Sequence, residues 1–373
     1  MNKILLHVKI IIAIFINVIF LINCNLSGKN DKVSILVSLP LTGDAAAYGK
    51  LLKDGVEYGL SELDSNVKNK LNVIYQDDKL STKDAVNILH QEMAKQKLAA
   101  VMTSSTELAM NLGPICNENK VILLPPIADG DQITKAGEYV FLITPVSSFQ
   151  SQELARYMTL DKVKTAAIIF LNDSWGNSLT QEFTKAFEAT SGKVLIKEGF
   201  NAGTRDFRET LLKIKKGNPD ALLIILHPAE TIPVLKQIRE LGIKSKLYGG
   251  DTFSNKELYQ KEVVDLVQGI KFTLPAQPNN EIFSSFKKGF KEKYGYEADI
   301  NAAAARDAII LIASTVKLGA KNGTMIKDIF MQWKNGVKGA TGLITWDDNR
   351  NVISKNYSLY KINQGLYSLA NPY

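Results

Sequence analysis

The stretch from Val101 to Asp129 constrains the fold more than any other. An apolar run over Leu98–Met102 stops at four consecutive hydroxyl residues, Thr103, Ser104, Ser105 and Thr106. A helical pattern follows over residues 107–119. A second apolar run, 121–124, then stops at Pro125-Pro126-Ile127-Ala128-Asp129. Strand, helix and strand in this order make a parallel pair whose polar loops share one sheet edge. Ligands of open α/β sheets bind at that carboxyl edge. The first loop also opens a helix, so free backbone N–H groups and the positive end of the helix dipole point there. Hydroxyls beside free amides suit a carboxylate. A plain N-cap at Ser105 or Thr106 is the simpler reading of this stretch taken alone, and the carboxylate site is the alternative.

The same alternation runs along the chain twice. In the first series, strands are expected over Val33–Leu39, 71–75 and 139–143, with helices over 48–63 and up to Lys95. Ser81-Thr82-Lys83-Asp84 reads as a capping box before the second helix. In the second series, strands are expected over 165–170, 193–199, 221–226 and Lys246–Gly249. Helices run to Thr190, over 206–216 and to Leu241. The apolar run 221–226 is what a strand buried on both faces requires. Helical patterns then cover 282–294, 301–318 and 324–333, and 342–346 and 357–362 read as β. Each series opens a helix with an aromatic-glycine pair, Tyr48-Gly49 and Trp175-Gly176. Two similar lobes are expected, linked by short crossings rather than a Gly/Ser linker, as a hinged clamp needs.

The first 23 residues are set apart from the fold. Lys3 and Lys9 precede a short apolar core ending in Leu21-Ile22-Asn23-Cys24. This core is too short to span a bilayer and suits a signal peptide. The ending resembles a bacterial lipobox with Cys24 as the lipidated residue, although Asn23 stands where a small residue is usual. An ordinary secretory signal is the alternative. Residues 24–30 read as a tether. Cys24 and Cys116 are the two cysteines, so with Cys24 lipidated no disulfide is expected; Cys116 lies on an apolar helix face as a small core residue.

About 350 residues remain, enough for two ordinary domains. The 45 basic residues exceed the 38 acidic ones, but the lysines are spread over helix faces without interleaved aromatics, which argues against nucleic acid. The three histidines are His7, His90 and His227. HExxH, CxxC and GxSxG are absent, and GDAAAYGK at 43–50 has the wrong spacing for a phosphate loop. Neither a metal nor a cofactor is expected, and the chain reads as a binding protein rather than an enzyme.

Seven segments in order carry a family resemblance: VSILVSLPLTGDAAAYGKLLKDGVEYGLSEL, VIYQDDKLSTKDAVNIL, TSSTELA, LNDSWGNSLTQEFTKAF, NAGTRDFRETLLKIK, LYGGDTFSN and GLITWDDN. Together they resemble the leucine/isoleucine/valine-binding proteins, periplasmic solute receptors of ABC transporters. The resemblance implies an α/β fold of two Rossmann-like lobes with parallel sheets joined by a three-segment hinge. Residues 31–145 and 275–344 would form the first lobe, and 146–274 and 345–373 the second.

By the same resemblance, Tyr48 packs on the ligand and Thr103, beside Ser104, binds a carboxylate. The Ile127 carbonyl faces an ammonium, Trp175 is a lid, and Asp251 pairs with the ammonium. Asp129 replaces a threonine. Leu226 replaces a tyrosine, with His227 able to fill its space. The implied function is capture of an amino acid or related amine or amide solute outside the inner membrane. Permease and ATPase subunits would be the partners, with a periplasmic or cell-surface location and a lipid anchor. A sensor that reports the ligand without transport is the alternative.

Overall fold

In the computed structural model, which describes residues 32–370, apolar strands alternate their side chains between two cores. Cys24, the signal segment and the tether lie outside the described residues. The first sheet contains β1 (Val33–Leu39), β2 (Leu71–Asp77), β3 (Leu98–Met102) and β4 (Ile122–Leu123), in the order β2-β1-β3-β4, all parallel. Ile35, Val37 and Leu39 face one core and Leu36 the other. This period of two, with every β1 residue buried, is what helices on both faces of a parallel sheet produce. The connecting helices are α1 (Ala46–Ser61), the single turn α2 (Ser65–Lys68), α3 (Thr82–Lys95) and α4 (Thr106–Glu118). The Ser81 hydroxyl caps α3 by accepting from the Asp84 N–H at 3.3 Å.

The segment 139–143 does not extend this sheet as a full strand. It makes one bridge, Val140 to Leu123. Its other side is taken by the 346–350 loop: Trp346 Nε1 donates to the Leu142 carbonyl at 2.6 Å, and Leu142 N donates to the Arg350 carbonyl at 3.1 Å.

The chain then enters a second unit through α5 (Ser147–Leu160), a helix the apolar pattern does not announce because its buried face includes Ser147, Gln150 and Ser151. β5 (Thr165–Leu171), α6 (Ser174–Ala189), β6 (Lys193–Phe200), α7 (Arg208–Gly217), β7 (Ala221–Ile225), α8 (Pro228–Glu240), β8 (Lys246–Gly249) and β9 (Lys271–Pro275) follow. The chain returns to the first unit as α9 (Glu281–Tyr294), α10 (Ile300–Lys317), α11 (Gly323–Gln332) and the hairpin β10 (Val337–Gly339) to β11 (Gly342–Ile344). It ends on β12 (Tyr357–Asn363) and β13 (Leu366–Leu369), which pair antiparallel at the edge of the second sheet. That sheet runs β13-β12-β9-β8-β7-β5-β6.

Two contacts depart from the expected lobe bounds. Pro275 still pairs with Tyr357 in the second sheet. Trp346 and Val352, expected in the second lobe, pack in the first core, where Trp346 stacks on Phe330.

The two aromatic-glycine pairs have one physical cause. A Cβ on Gly49 would stand 1.9 Å from the Pro40 carbonyl oxygen, and one on Gly176 would stand 2.0 Å from that of Leu171. In both units the helix start lies directly on the chain leaving the preceding strand, and only glycine allows that approach.

Candidate functional site

The loops at the carboxyl edges of the two sheets carry the polar residues picked out by the sequence. After β3, the Ser105 hydroxyl caps α4 by accepting from the Leu108 N–H at 3.2 Å. Capping is therefore done by Ser105, while the hydroxyls of Thr103 and Ser104 are buried without a hydrogen-bond partner. Thr106 Oγ1 donates to Asp129 Oδ1 at 3.0 Å and accepts from the Asp129 N–H at 3.2 Å. Asp129 is thus fixed against the first turn of α4, 2% exposed, with Oδ2 unpartnered.

Asp251 follows β8 in the second unit, and its Oδ1 is also buried without a partner. Burial raises both carboxyls, and the Asp251 charge raises Asp129 further. The phenols of Tyr48 and Tyr357 are held well above their usual range, by burial first and then by these acids. Both tyrosines and both aspartates therefore belong to one electrostatic neighbourhood. Gln150 on α5 donates through Nε2 to Thr273 Oγ1 at 3.0 Å, lies beside Asp251, and leaves Oε1 unpartnered. Among the described residues, eight buried side-chain polar atoms lack a partner, and five belong to Thr103, Ser104, Asp129, Gln150 and Asp251. An unmet buried polar group costs about 1–3 kcal/mol, so a cluster of five marks a place built to be completed by something else.

An aromatic wall borders this cluster from the second unit. Trp175, in the first turn of α6, stacks on His227 with ring centroids 5.3 Å apart and planes 8° from parallel. A Cβ on Gly250 would lie 3.6 Å from both Trp175 and Gln150, so ring and amide meet beside Asp251. His227 Nε2 lies 4.0 Å from Asp173 Oδ2. Asp173 caps α6 by accepting from the Gly176 N–H at 2.8 Å, and burial raises its carboxyl.

Leu226 corrects the sequence expectation. Its side chain is fully buried in the second core, and its carbonyl accepts from Thr252 Oγ1 at 2.9 Å; His227, the next residue, faces Trp175 instead. Ile127 is half-buried and packs against the first core.

Direct contacts join the units across this region. Glu107 Oε2 accepts from the Ser174 N–H at 2.9 Å, and Lys256 Nζ donates to the Glu297 carbonyl at 3.1 Å. Gln150, Tyr357 and Glu107 are the members that sequence reasoning missed. A groove of about 500 Å³ between α5 and α6 is lined by Ala155, Leu160 and Ala186, none of which belongs to this polar cluster. Among the described residues no group of three or more His, Cys, Asp or Glu could hold a metal ion, and no helix is long and apolar enough to cross a membrane.

A family model described as periplasmic binding protein matches residues 32–366. The leucine-, isoleucine-, valine-, threonine- and alanine-binding protein of Pseudomonas aeruginosa is 24% identical over 345 residues, covering 89% of this chain and 90% of that protein. The crystal structure of a leucine-binding protein from Thermotoga maritima superposes with a TM-score of 0.85 at 23% identity, covering 91% of this chain and 98% of that one. The branched-chain amino acid transporter substrate-binding protein of Streptococcus pneumoniae, in complex with isoleucine, gives 0.81 at 25% identity, covering 90% and 98%.

Proposed function

The chain belongs to the periplasmic binding protein family, and from that premise we propose that it is the solute-binding protein of an ABC transporter. In this reading it captures a small amino acid or related amine or amide between its two units and delivers it to permease and ATPase subunits. The units are lobes of about 32–145 with 276–352 and 146–275 with 357–370, which close on a hinge of three crossings. The chain is exported, and a lipid on Cys24 tethers it to a membrane.

The observation that carries this reading is the set of five buried, unpartnered polar atoms from Thr103, Ser104, Asp129, Gln150 and Asp251. They come from both units, so a bound solute completes their hydrogen bonds only when the units are together. The relatives named for amino-acid binding support the same class of ligand. Tyr48 and Trp175 supply apolar walls, Thr103 and Ser104 hydroxyl contacts, and Asp129 and Asp251 acceptors for a cationic nitrogen. Ile127 contributes its carbonyl, and His227 backs the Trp175 ring.

A thermal-shift panel of amino acids, polyamines, amides and purines tests the proposal. A ligand that binds the native state alone adds about 2.7 kcal/mol at a hundredfold excess over Kd, visible as a rise of several degrees in Tm. A panel in which no compound raises Tm overturns it.

A further inference from the structure

Resting on the reading of this cleft as a solute site, we infer that its ligand carries net positive charge: an amine, amidinium or guanidinium solute rather than a neutral zwitterionic amino acid. Two carboxylates, Asp129 from one unit and Asp251 from the other, each keep a buried oxygen that makes no hydrogen bond of good geometry, with the neutral Tyr357 hydroxyl beside Asp129 and the Gln150 amide beside Asp251. Among the described residues no lysine or arginine forms an ion pair with either (none closer than 4.0 Å).

Two further acids, Asp131 and Asp299, and one imidazole, His227, stand near this pair. Asp131 is engaged with Ser148, whose N–H and hydroxyl donate to it at 2.9 and 2.6 Å. Asp299 caps α10 by accepting from the Asn301 and Ala302 N–H groups at 2.9 Å. Tyr48 and Tyr357 are neutral phenols held above their usual range. His227 is the base that acts on Asp251, and its nearest acid is Asp173. Lys256, which acts on Asp299, is turned onto the Glu297 carbonyl and the Tyr296 ring.

The end of α4 argues the same way. A helix N-terminus is where a ligand carboxylate would find its donors. Here the chain supplies a carboxylate of its own, because Asp129 Oδ1 takes the Thr106 hydroxyl and Ser105 takes the Leu108 N–H. A ligand carboxylate at Thr103 and Ser104 would lie beside Asp129 and be repelled by it. A cation reverses that sign. It gives the free oxygens of Asp129 and Asp251 a partner, and the rings of Trp175 and Tyr48 stand in the same neighbourhood, where an aromatic side chain tolerates positive charge better than negative. Two like charges in one buried site hold a proton between them until a cation replaces it, so binding releases a proton and strengthens as pH rises.

Calorimetry on the full exported chain, freed of ligand by unfolding and refolding, decides the matter. The probes are 1,4-diaminobutane, arginine, leucine and isoleucine, each titrated in two buffers of different ionisation enthalpy across the weakly acidic to neutral range. We expect one of the two cationic probes to bind at least about tenfold tighter than leucine, with proton release and with affinity rising with pH. The diamine binding best identifies a carboxylate-free amine, and arginine binding best a basic amino acid; both outcomes support the inference. Asp129→Asn should weaken the cation by about tenfold or more and improve leucine. If that variant does not fold, Asp251→Asn makes the same test from the other unit. Leucine or isoleucine binding as tightly as either cation, without pH dependence, overturns the inference and leaves the solute-binding reading standing. Failure of these probes and of the whole thermal-shift panel overturns both.

Discussion

The carboxylate of Glu107 accepts a hydrogen bond from the backbone N–H of Ser174 at 2.9 Å, joining the first turn of α4 in one unit to the first turn of α6 in the other. Asn111 Nδ2 donates to the second oxygen of Glu107 at 3.1 Å and holds the side chain in place. A carboxylate at a helix N-terminus meets both a free N–H and the positive end of the dipole. The contact exists only when the units are together, so it stabilises the closed arrangement and not the folding of either unit.

Glu107→Ala should therefore weaken ligand binding by about 1–2 kcal/mol, the range of a charge-assisted bond to backbone. Calorimetry gives the affinity, and X-ray scattering should record a larger mean radius without ligand. The urea midpoint of the ligand-free protein should stay where it is. Unchanged affinity and radius would remove Glu107 from any part in closure.

Trp175→Ala should cost about 2 kcal/mol or more of binding energy, as for buried aromatic anchors in recognition sites. The variant also strips His227 of its stacking partner. Trp175→Phe keeps a ring on His227 and should recover part of the loss. Titration of both variants with the ligand found for wild type checks this, and equal losses in the two would argue against stacking as the cause.

Much of this arrangement is legible in the sequence because it is local. Ser81, the β3 boundaries and the two aromatic-glycine pairs each follow from neighbouring residues. Leu226 was readable too, since strand alternation puts it on the same face as Leu222 and Ile224, inside the second core. Gln150 escapes because α5 buries serines and an amide where a periodic apolar stripe would be sought. Tyr357 escapes for a different reason. It is an ordinary strand tyrosine, and only the antiparallel pairing of β12 with β9 brings its hydroxyl to the Pro145 carbonyl, 3.0 Å away, beside Asp129. Glu107 reads as first-turn charge for its own helix, and its partner belongs to a helix starting 67 positions later.

The buried acids set a pH dependence of fixed sign. Burial, then the Asp251 charge, raise the Asp129 carboxyl in the folded protein, while the unfolded chain titrates it near the ordinary value of about 3.9. Between those two pKa values the folded state holds the proton and the unfolded state does not. Stability of the ligand-free protein therefore falls as pH rises through that window and levels off above it. Asp129→Asn should flatten this part of the profile and raise neutral-pH stability. Urea midpoints from about pH 4 to 8 measure it; a wild-type profile that rises across that window would contradict the assignment.

Asp307 is a buried acid of the opposite kind, with its needs met. It accepts from Arg306 Nη1 at 2.7 Å, Ala340 N–H at 2.9 Å, Thr341 N–H at 2.7 Å and the Thr341 hydroxyl at 2.6 Å. These bonds hold the turn between β10 and β11. Lys355 lies next in the chain of contacts, donating to Thr341 Oγ1 at 2.6 Å, with its ammonium lowered to about 8 by burial. Asp307→Ala leaves the Ala340 and Thr341 donors unmet and removes one of the two carboxylates on Arg306, which keeps Glu62 at 2.7 Å, a loss of about 3 kcal/mol. Chemical denaturation should register it as a lower midpoint. A shift under about 1 kcal/mol would mean that the turn is held by packing and not by the carboxylate.

The glycines at the two helix starts give a test that separates architecture from composition. A Cβ at position 49 or 176 would stand about 2 Å from a carbonyl oxygen, far inside contact distance, and that oxygen belongs to backbone leaving a central strand. Neither partner is a flexible side-chain end, so the helix start itself must shift. Gly49→Ala and Gly176→Ala should each lower stability by about 1–3 kcal/mol, as overpacking does. Gly217 supplies the control: it closes α7, and a Cβ there would meet nothing nearer than Ile196 Cδ1 at 3.7 Å. Gly217→Ala should be neutral or stabilise by up to about 1 kcal/mol, because alanine is the better helix former. Gly176→Ala should also reduce ligand affinity, since moving the first turn of α6 carries Trp175 and the Ser174 N–H with it. Paired urea denaturation and calorimetry on the three variants read both effects. If Gly176→Ala unfolds no more easily than Gly217→Ala, the helix start is not packed on the Leu171 carbonyl, and the shared construction of the two units is wrong.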